Sequence, residues 1–177
     1  MPNSLSKYTA ENFKRINQCN PIAIPAFREF LWRIAMQGIY VRIPDEGYKR
    51  SPELQKKLYN KIPAVTWVLC PFSSHCHGLA IDLAVLKKIG DTTYEIMKGK
   101  KMEEQYETMA RISMGLGIDW GFKLWGTDKP HFQMTGGLNI KDIVKGKTPS
   151  TPSFIPVVLP KILERARQRL RKRGIEC

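Results

Sequence analysis

Any fold this chain adopts has to bring together two short stretches that lie far apart in sequence. One is Ser73-x-His75-x-x-Gly78-x-Ala80-x-Asp82; the other is Asp128-x-Pro130-His131-Phe132. All three histidines of the chain sit in or between these motif positions. Two imidazoles and a carboxylate form the donor set of a catalytic zinc site. Such a site needs three protein ligands, a fourth position open to water and a separate base for that water's proton. His75, Asp82 and His131 fill the ligand roles, and Asp128, three residues before His131, fills the role of general acid/base.

The local pattern supports convergence. Leu79–Leu83 reads as a strand, with Ala80 and Asp82 on one face and Leu79, Ile81 and Leu83 on the other. Gly78 allows a sharp turn between His75 and that strand, and the small Ala80 leaves room beside Asp82. His131–Met134 reads as a further strand, entered through Pro130, which biases Lys129 to an extended shape. The spacing predicts helices over 26–37 and 102–114. The first carries Phe27, Phe30, Leu31, Ile34 and Ala35 on one side; the second carries Met102, Tyr106, Met109, Ala110 and Ser113. Ser51-Pro52-Glu53 opens another helix through Tyr59, capped by Ser51. Ile39–Ile43 is a short strand, and Thr66–Leu69 a weaker one. Helices and short strands without regular βαβ alternation give an α+β class.

Arg50, in Gly47-Tyr48-Lys49-Arg50-Ser51, is suited to hold an oxyanion or a substrate carboxylate, with Lys49 as its rival. Cys76 and His77 adjoin His75 but point in other directions, so neither is expected as a ligand. Ser73 is a turn-shaping residue beside the substrate rather than a nucleophile. Trp120 and Trp125 either line a substrate groove or fill the core. Asp119 either orients a ligand histidine or caps a loop.

The chain has 177 residues and a formal net charge of +13. Residues 161–177 hold seven basic and two acidic side chains, leaving +8 for the rest, so both parts should be drawn to polyanions. No nucleic-acid motif is present. No apolar run is long enough to span a bilayer, and the polar N-terminus carries no export signal. Cys19, Cys70, Cys76 and Cys177 match no metal or disulfide framework, so reduced thiols are expected; spacing alone does not argue for a Cys70–Cys76 bridge.

The segments GY-K-RSPELQKKLY (47–59), SSHCHGLAID (73–82), GIDWG (117–121) and DKPHFQ (128–133) resemble the zinc peptidases that cut peptidoglycan stem peptides. That group includes D-alanyl-D-alanine carboxypeptidases and phage L-alanyl-D-glutamate endolysins, and the hedgehog signalling domain shares its fold. The resemblance implies a small antiparallel sheet flanked by helices. It implies a Zn2+ ion on His75, Asp82 and His131, with Asp128 as acid/base and Arg50 as the transition-state arginine. Lys49 departs from the pattern as an insertion before the arginine, and Phe122 stands where a second glycine is common.

The expected organisation is a zinc peptidase domain over 1–147, a Pro-rich linker over 148–160 and a basic amphipathic helix over 161–177. The expected partner is peptidoglycan, with the tail drawn to anionic envelope surfaces and the chain acting as a monomer. The expected route is synthesis in the cytoplasm and action in the periplasm or cell wall after release. The expected reaction is L-alanyl-D-glutamate endopeptidase cleavage. The alternatives are a D-Ala-D-Ala carboxypeptidase and a zinc-binding module without catalysis.

Overall fold

Two antiparallel three-stranded sheets with helices around them make this an α+β protein. The computed structural model describes residues 4–90 and 93–150. The expected helix at 161–177 and most of the expected linker lie outside the described residues.

Helix α1 spans Ser4–Ile16 and α2 spans Ile24–Met36. Phe27, Phe30, Leu31 and Ile34 of α2 are buried, and Ala35 faces solvent. Strand β1 is Tyr40–Arg42, and α3 is Pro52–Tyr59. The Ser51 hydroxyl accepts from the Leu54 amide at 3.2 Å, the cap its position called for. A 3-10 turn at Ser74–His77 leads into β2, Ala80–Asp82, which is followed by β3, Ala84–Lys88, and β4, Tyr94–Ile96. Helix α4 spans Lys100–Met114 and buries Tyr106, Met109, Ala110 and Ser113. Strand β5, Asp119–Trp120, runs into α5, Gly121–Trp125; β6 is His131–Gln133, and α6 is Ile140–Val144.

The strands form not one sheet but two, ordered β1-β3-β4 and β2-β6-β5. Leu83 is the crossing point between them. Its amide donates to the Pro130 carbonyl at 2.9 Å, and its carbonyl accepts from the Tyr106 hydroxyl at 2.6 Å. The chain therefore leaves β2 and enters β3 with its backbone groups satisfied.

One core lies under both sheets. Ile81 and Phe132 point into it, and the Phe132 ring meets Phe30 of α2 with centroids 4.9 Å apart. Because side chains alternate along a strand, burying Phe132 sends His131 and Gln133 to the opposite face. The register then pairs Asp82 directly with His131.

Two sequence expectations are corrected here. Thr66–Leu69 forms no strand. Pro63 and Pro71 flank the run, which finds no partner strand, and Val65, Trp67, Val68 and Leu69 stay exposed on an irregular loop. Cys70 and Cys76 are joined in a disulfide, not reduced, because the loop folds back on the 3-10 turn and brings their Cα atoms to 5.9 Å. Pro149, at the start of the expected linker, is buried against the body.

Candidate metal centre

Three side chains from separate elements meet at one point. His75 arrives on the 3-10 turn, and Asp82 and His131 face each other across β2 and β6. His75 Nε2 lies 3.2 Å from Asp82 Oδ1 and 3.2 Å from His131 Nδ1, and His131 Nδ1 lies 3.3 Å from Asp82 Oδ1. These atoms mark the three corners of a nearly equilateral triangle, and the group could hold a metal ion. Tetrahedral zinc with bonds of about 2.0–2.1 Å separates its donor atoms by about 3.3 Å, so the spacing fits that ion.

The imidazoles are held so that the right nitrogens converge. His75 Nδ1 sits 3.0 Å from the Tyr48 carbonyl, which can only accept, so that nitrogen carries the proton and Nε2 presents its lone pair. His131 Nε2 lies 3.1 Å from Gln133 Oε1, which frees Nδ1 for the centre in the same way. Gln133 closes the segment DKPHFQ (128–133), with no role of its own expected from the sequence. Its signal was its place two residues after His131, on the same strand face. Asp119 does not take this part; it lies opposite Gln133 in the register, and Lys123 is its charged neighbour.

Asp82 is divided between two tasks. Oδ1 faces the imidazoles, while Oδ2 accepts from Arg50 Nη2 at 2.6 Å. Arg50 is buried and Lys49 is exposed, so the arginine is the cation that reaches the site. Arg50 Nη1 donates to Gln55 Oε1 at 3.3 Å, and its Nε donates to the Glu46 carbonyl. Gln55 in turn donates to Thr66 Oγ1 at 3.0 Å and to the Val68 carbonyl at 2.7 Å.

The electrostatics follow from burial and these contacts. Burial alone would raise the Asp82 carboxyl, but the charges and hydrogen bonds of His75 and His131 outweigh it and hold the group well below its ordinary value. Burial lowers His75 despite Asp82. Burial would also lower His131, yet hydrogen bonding to Asp82 and its charge raise it. Asp128 is raised by burial; His131 opposes the shift and Asp82 reinforces it. The charges of all four site groups therefore act on Asp128, which stands beside the triangle without being one of its corners.

Glycines set the close approaches. A Cβ on Gly121 would fall 2.8 Å from the Asp128 carbonyl and 2.9 Å from His131 Cβ, so this position is packed against both motif residues. Gly78 has φ +66°, and a Cβ there would meet the Asn20 amide at 2.6 Å. Its turn is pressed against the α1–α2 connection rather than against the metal triangle.

The two tryptophans part company. Trp120 is half-buried and donates from Nε1 to the Lys129 carbonyl at 2.7 Å, bracing the turn that carries Asp128. Trp125 is 53% exposed with its ring 5.2 Å from that of His131. Ser73 is buried, and its carbonyl accepts from the Cys76 amide at 3.0 Å. His77 is turned away toward the Pro71 carbonyl, and Cys76 is committed to its disulfide.

Residues 70–134 match the family described as D-alanyl-D-alanine carboxypeptidase. The match supports the peptidase family that the motifs resemble. It spans His75, Asp82, Asp128 and His131 and leaves Arg50 and Gln55 outside. No curated protein matches the chain. At the level of this family the match supports a peptidase acting on peptidoglycan, with an α+β peptidase-like fold.

Proposed function

We propose that this chain is a zinc-dependent L-alanyl-D-glutamate endopeptidase of the endolysin type, hydrolysing peptidoglycan stem peptides. The observation that carries the reading is the 3.2–3.3 Å triangle of His75, Asp82 and His131, with the raised carboxyl of Asp128 beside it. Zinc, held by those three residues, would supply Lewis acidity that makes an attacking water acidic near neutral pH and polarises the scissile carbonyl.

The rest is done by the chain. Asp128 takes the proton of the attacking water and passes it to the leaving amine. A carboxyl raised by burial holds that proton more readily between the two transfers. Arg50 is fixed by Asp82, Gln55 and the Glu46 carbonyl, so its positive charge is in place before the carbonyl oxygen becomes negative. Its guanidinium has N–H donors beyond these partners for that oxygen. Trp125, exposed beside His131, offers a flat apolar wall for the substrate, while Trp120 braces the turn that carries Asp128 and Ser73 shapes the turn that carries His75.

Retention of Asp128 beside the triangle speaks against a metal-binding module without catalysis. The description of the matched family favours a second reading, a D-Ala-D-Ala carboxypeptidase. Mass spectrometry of purified sacculi digested by the zinc-loaded chain tests both. New L-alanine C-termini with free D-glutamate amines support the endopeptidase. Release of terminal D-alanine alone supports the carboxypeptidase, and intact stem peptides contradict both. The chain is proposed to be made in the cytoplasm and to act as a monomer in the periplasm or cell wall after release, its basic tail aiding contact with anionic envelope surfaces.

A further inference from the structure

The loop joining α3 to the 3-10 turn exposes much of its apolar surface. Ile62 is 95% and Trp67 81% accessible, and Val65, Val68, Leu69 and Phe72 are each more than two-fifths exposed. Contiguous apolar exposure of this kind marks an interaction surface. The surrounding charge is mainly positive: Lys56, Lys57 and Lys61 are exposed, against one exposed acid, Glu53, in the first turn of α3.

We infer that this loop is a docking surface for an anionic phospholipid bilayer, with Ile62 and Trp67 entering the acyl boundary and the lysines of α3 lying among the headgroups. Charge complementarity selects this partner. Lysine beside an anionic leaflet is favourable, whereas lysine is depleted from protein–protein interface cores. Tryptophan suits the interface, being a large apolar ring with one polar edge.

Part of the loop backbone is already paired within the protein, which lowers the cost of approaching a medium where an unsatisfied N–H or C=O is costly. The Val65 amide donates to the Leu58 carbonyl at 3.2 Å, and the Phe72 amide to the Leu69 carbonyl at 2.9 Å. The Val68 carbonyl is taken by Gln55, and Pro63 and Pro71 have no N–H to satisfy. The loop is also anchored to the metal centre. Gln55 joins it to Arg50 and Asp82, and the Cys70–Cys76 disulfide ties it beside His75. Docking would therefore hold the site at a fixed offset from the membrane. The inference does not depend on which bond is cut.

The test uses the full chain and three vesicle types: phosphatidylglycerol mixed with phosphatidylcholine, phosphatidylcholine alone, and the anionic mixture with brominated acyl chains. The expected result at physiological salt is co-sedimentation with anionic vesicles only. Ile62→Ser with Trp67→Ser leaves every charge in place, including those of the tail, and lowers partitioning about tenfold or more. Trp67→Phe keeps an apolar side chain and retains binding, but loses most of the brominated-lipid quenching of tryptophan emission. Several results would overturn the inference: no binding by wild type, equal binding by the double serine variant, or quenching unchanged in Trp67→Phe. A double variant that loses binding to purified sacculi but not to vesicles would reassign the loop to the peptidoglycan.

Discussion

The two sheets are alike in size and opposite in use. Sheet β2-β6-β5 carries Asp82 and His131 as a cross-strand pair and turns Phe132 inward beneath them. Sheet β1-β3-β4 carries no ligand. It pairs Tyr40 with Leu86, packs Tyr40 and Tyr94 edge to face at 5.5 Å, and links Lys87 to Glu95 at 2.5 Å. In the first sheet the register matters at the level of single atoms, since a slip of one residue would send His131 into the core. In the second, the same three-stranded frame serves packing. Chemistry and stability are thus separable in this protein, and substitutions in the two sheets should separate them.

The largest effect is expected from His131→Ala. Stoichiometric metal binding and hydrolysis should both be lost while far-ultraviolet circular dichroism is kept, as read by elemental analysis and sacculus digestion. Next comes Asp128→Asn. Hydrolysis should fall roughly a hundred- to ten-thousand-fold with metal content unchanged, because proton transfer is removed and the ligand triangle is not. A parallel loss of metal would place Asp128 among the ligands instead.

Gln133→Ala should weaken metal affinity about ten- to a hundredfold, since His131 Nε2 loses the acceptor that fixes its tautomer. Competition with a chelator reads this directly. In the other sheet, Leu86→Ala should cost about 2–5 kcal/mol of unfolding free energy and leave metal affinity unaltered. A drop in affinity there would break the separation between the sheets.

The smallest effect is the pH dependence of metal affinity. His131 is raised, so as pH falls through its titration the ring gains a proton at the nitrogen the metal needs, and affinity declines; above it affinity levels off. His75, lowered by burial, is already neutral in that range and should not add a second step near neutrality. Titrations of metal binding across pH check the sign.

The sequence made the site more legible than its frame. His75, Asp82 and His131 were readable because metal chemistry demands particular residue types, and alternation in a strand fixes which of them share a face. Helix α3 was readable from Ser51 and Pro52 for the same local reason. Helix α1 was not. Its apolar residues Tyr8, Phe13 and Ile16 recur on one side, but among them lies the buried polar Asn12, whose amide donates to the Val41 carbonyl and whose oxygen accepts from the Ile43 amide. Such a contact spans distant residues and leaves no periodic trace. The apolar run at Thr66–Leu69 looked like a strand because propensity is local, whereas pairing needs a partner that the fold never brings. The Cys70–Cys76 bridge also depends on where the loop returns, and that is set by Gln55 and Arg50 rather than by cysteine spacing.

X-ray absorption at the zinc edge of the wild-type chain tests the central claim most directly. One zinc per chain, with two imidazole nitrogens and the remaining ligands oxygen at about 2.0–2.1 Å, is the predicted spectrum. A sulfur in the coordination shell, a single imidazole, or zinc that does not bind at one per chain would contradict it.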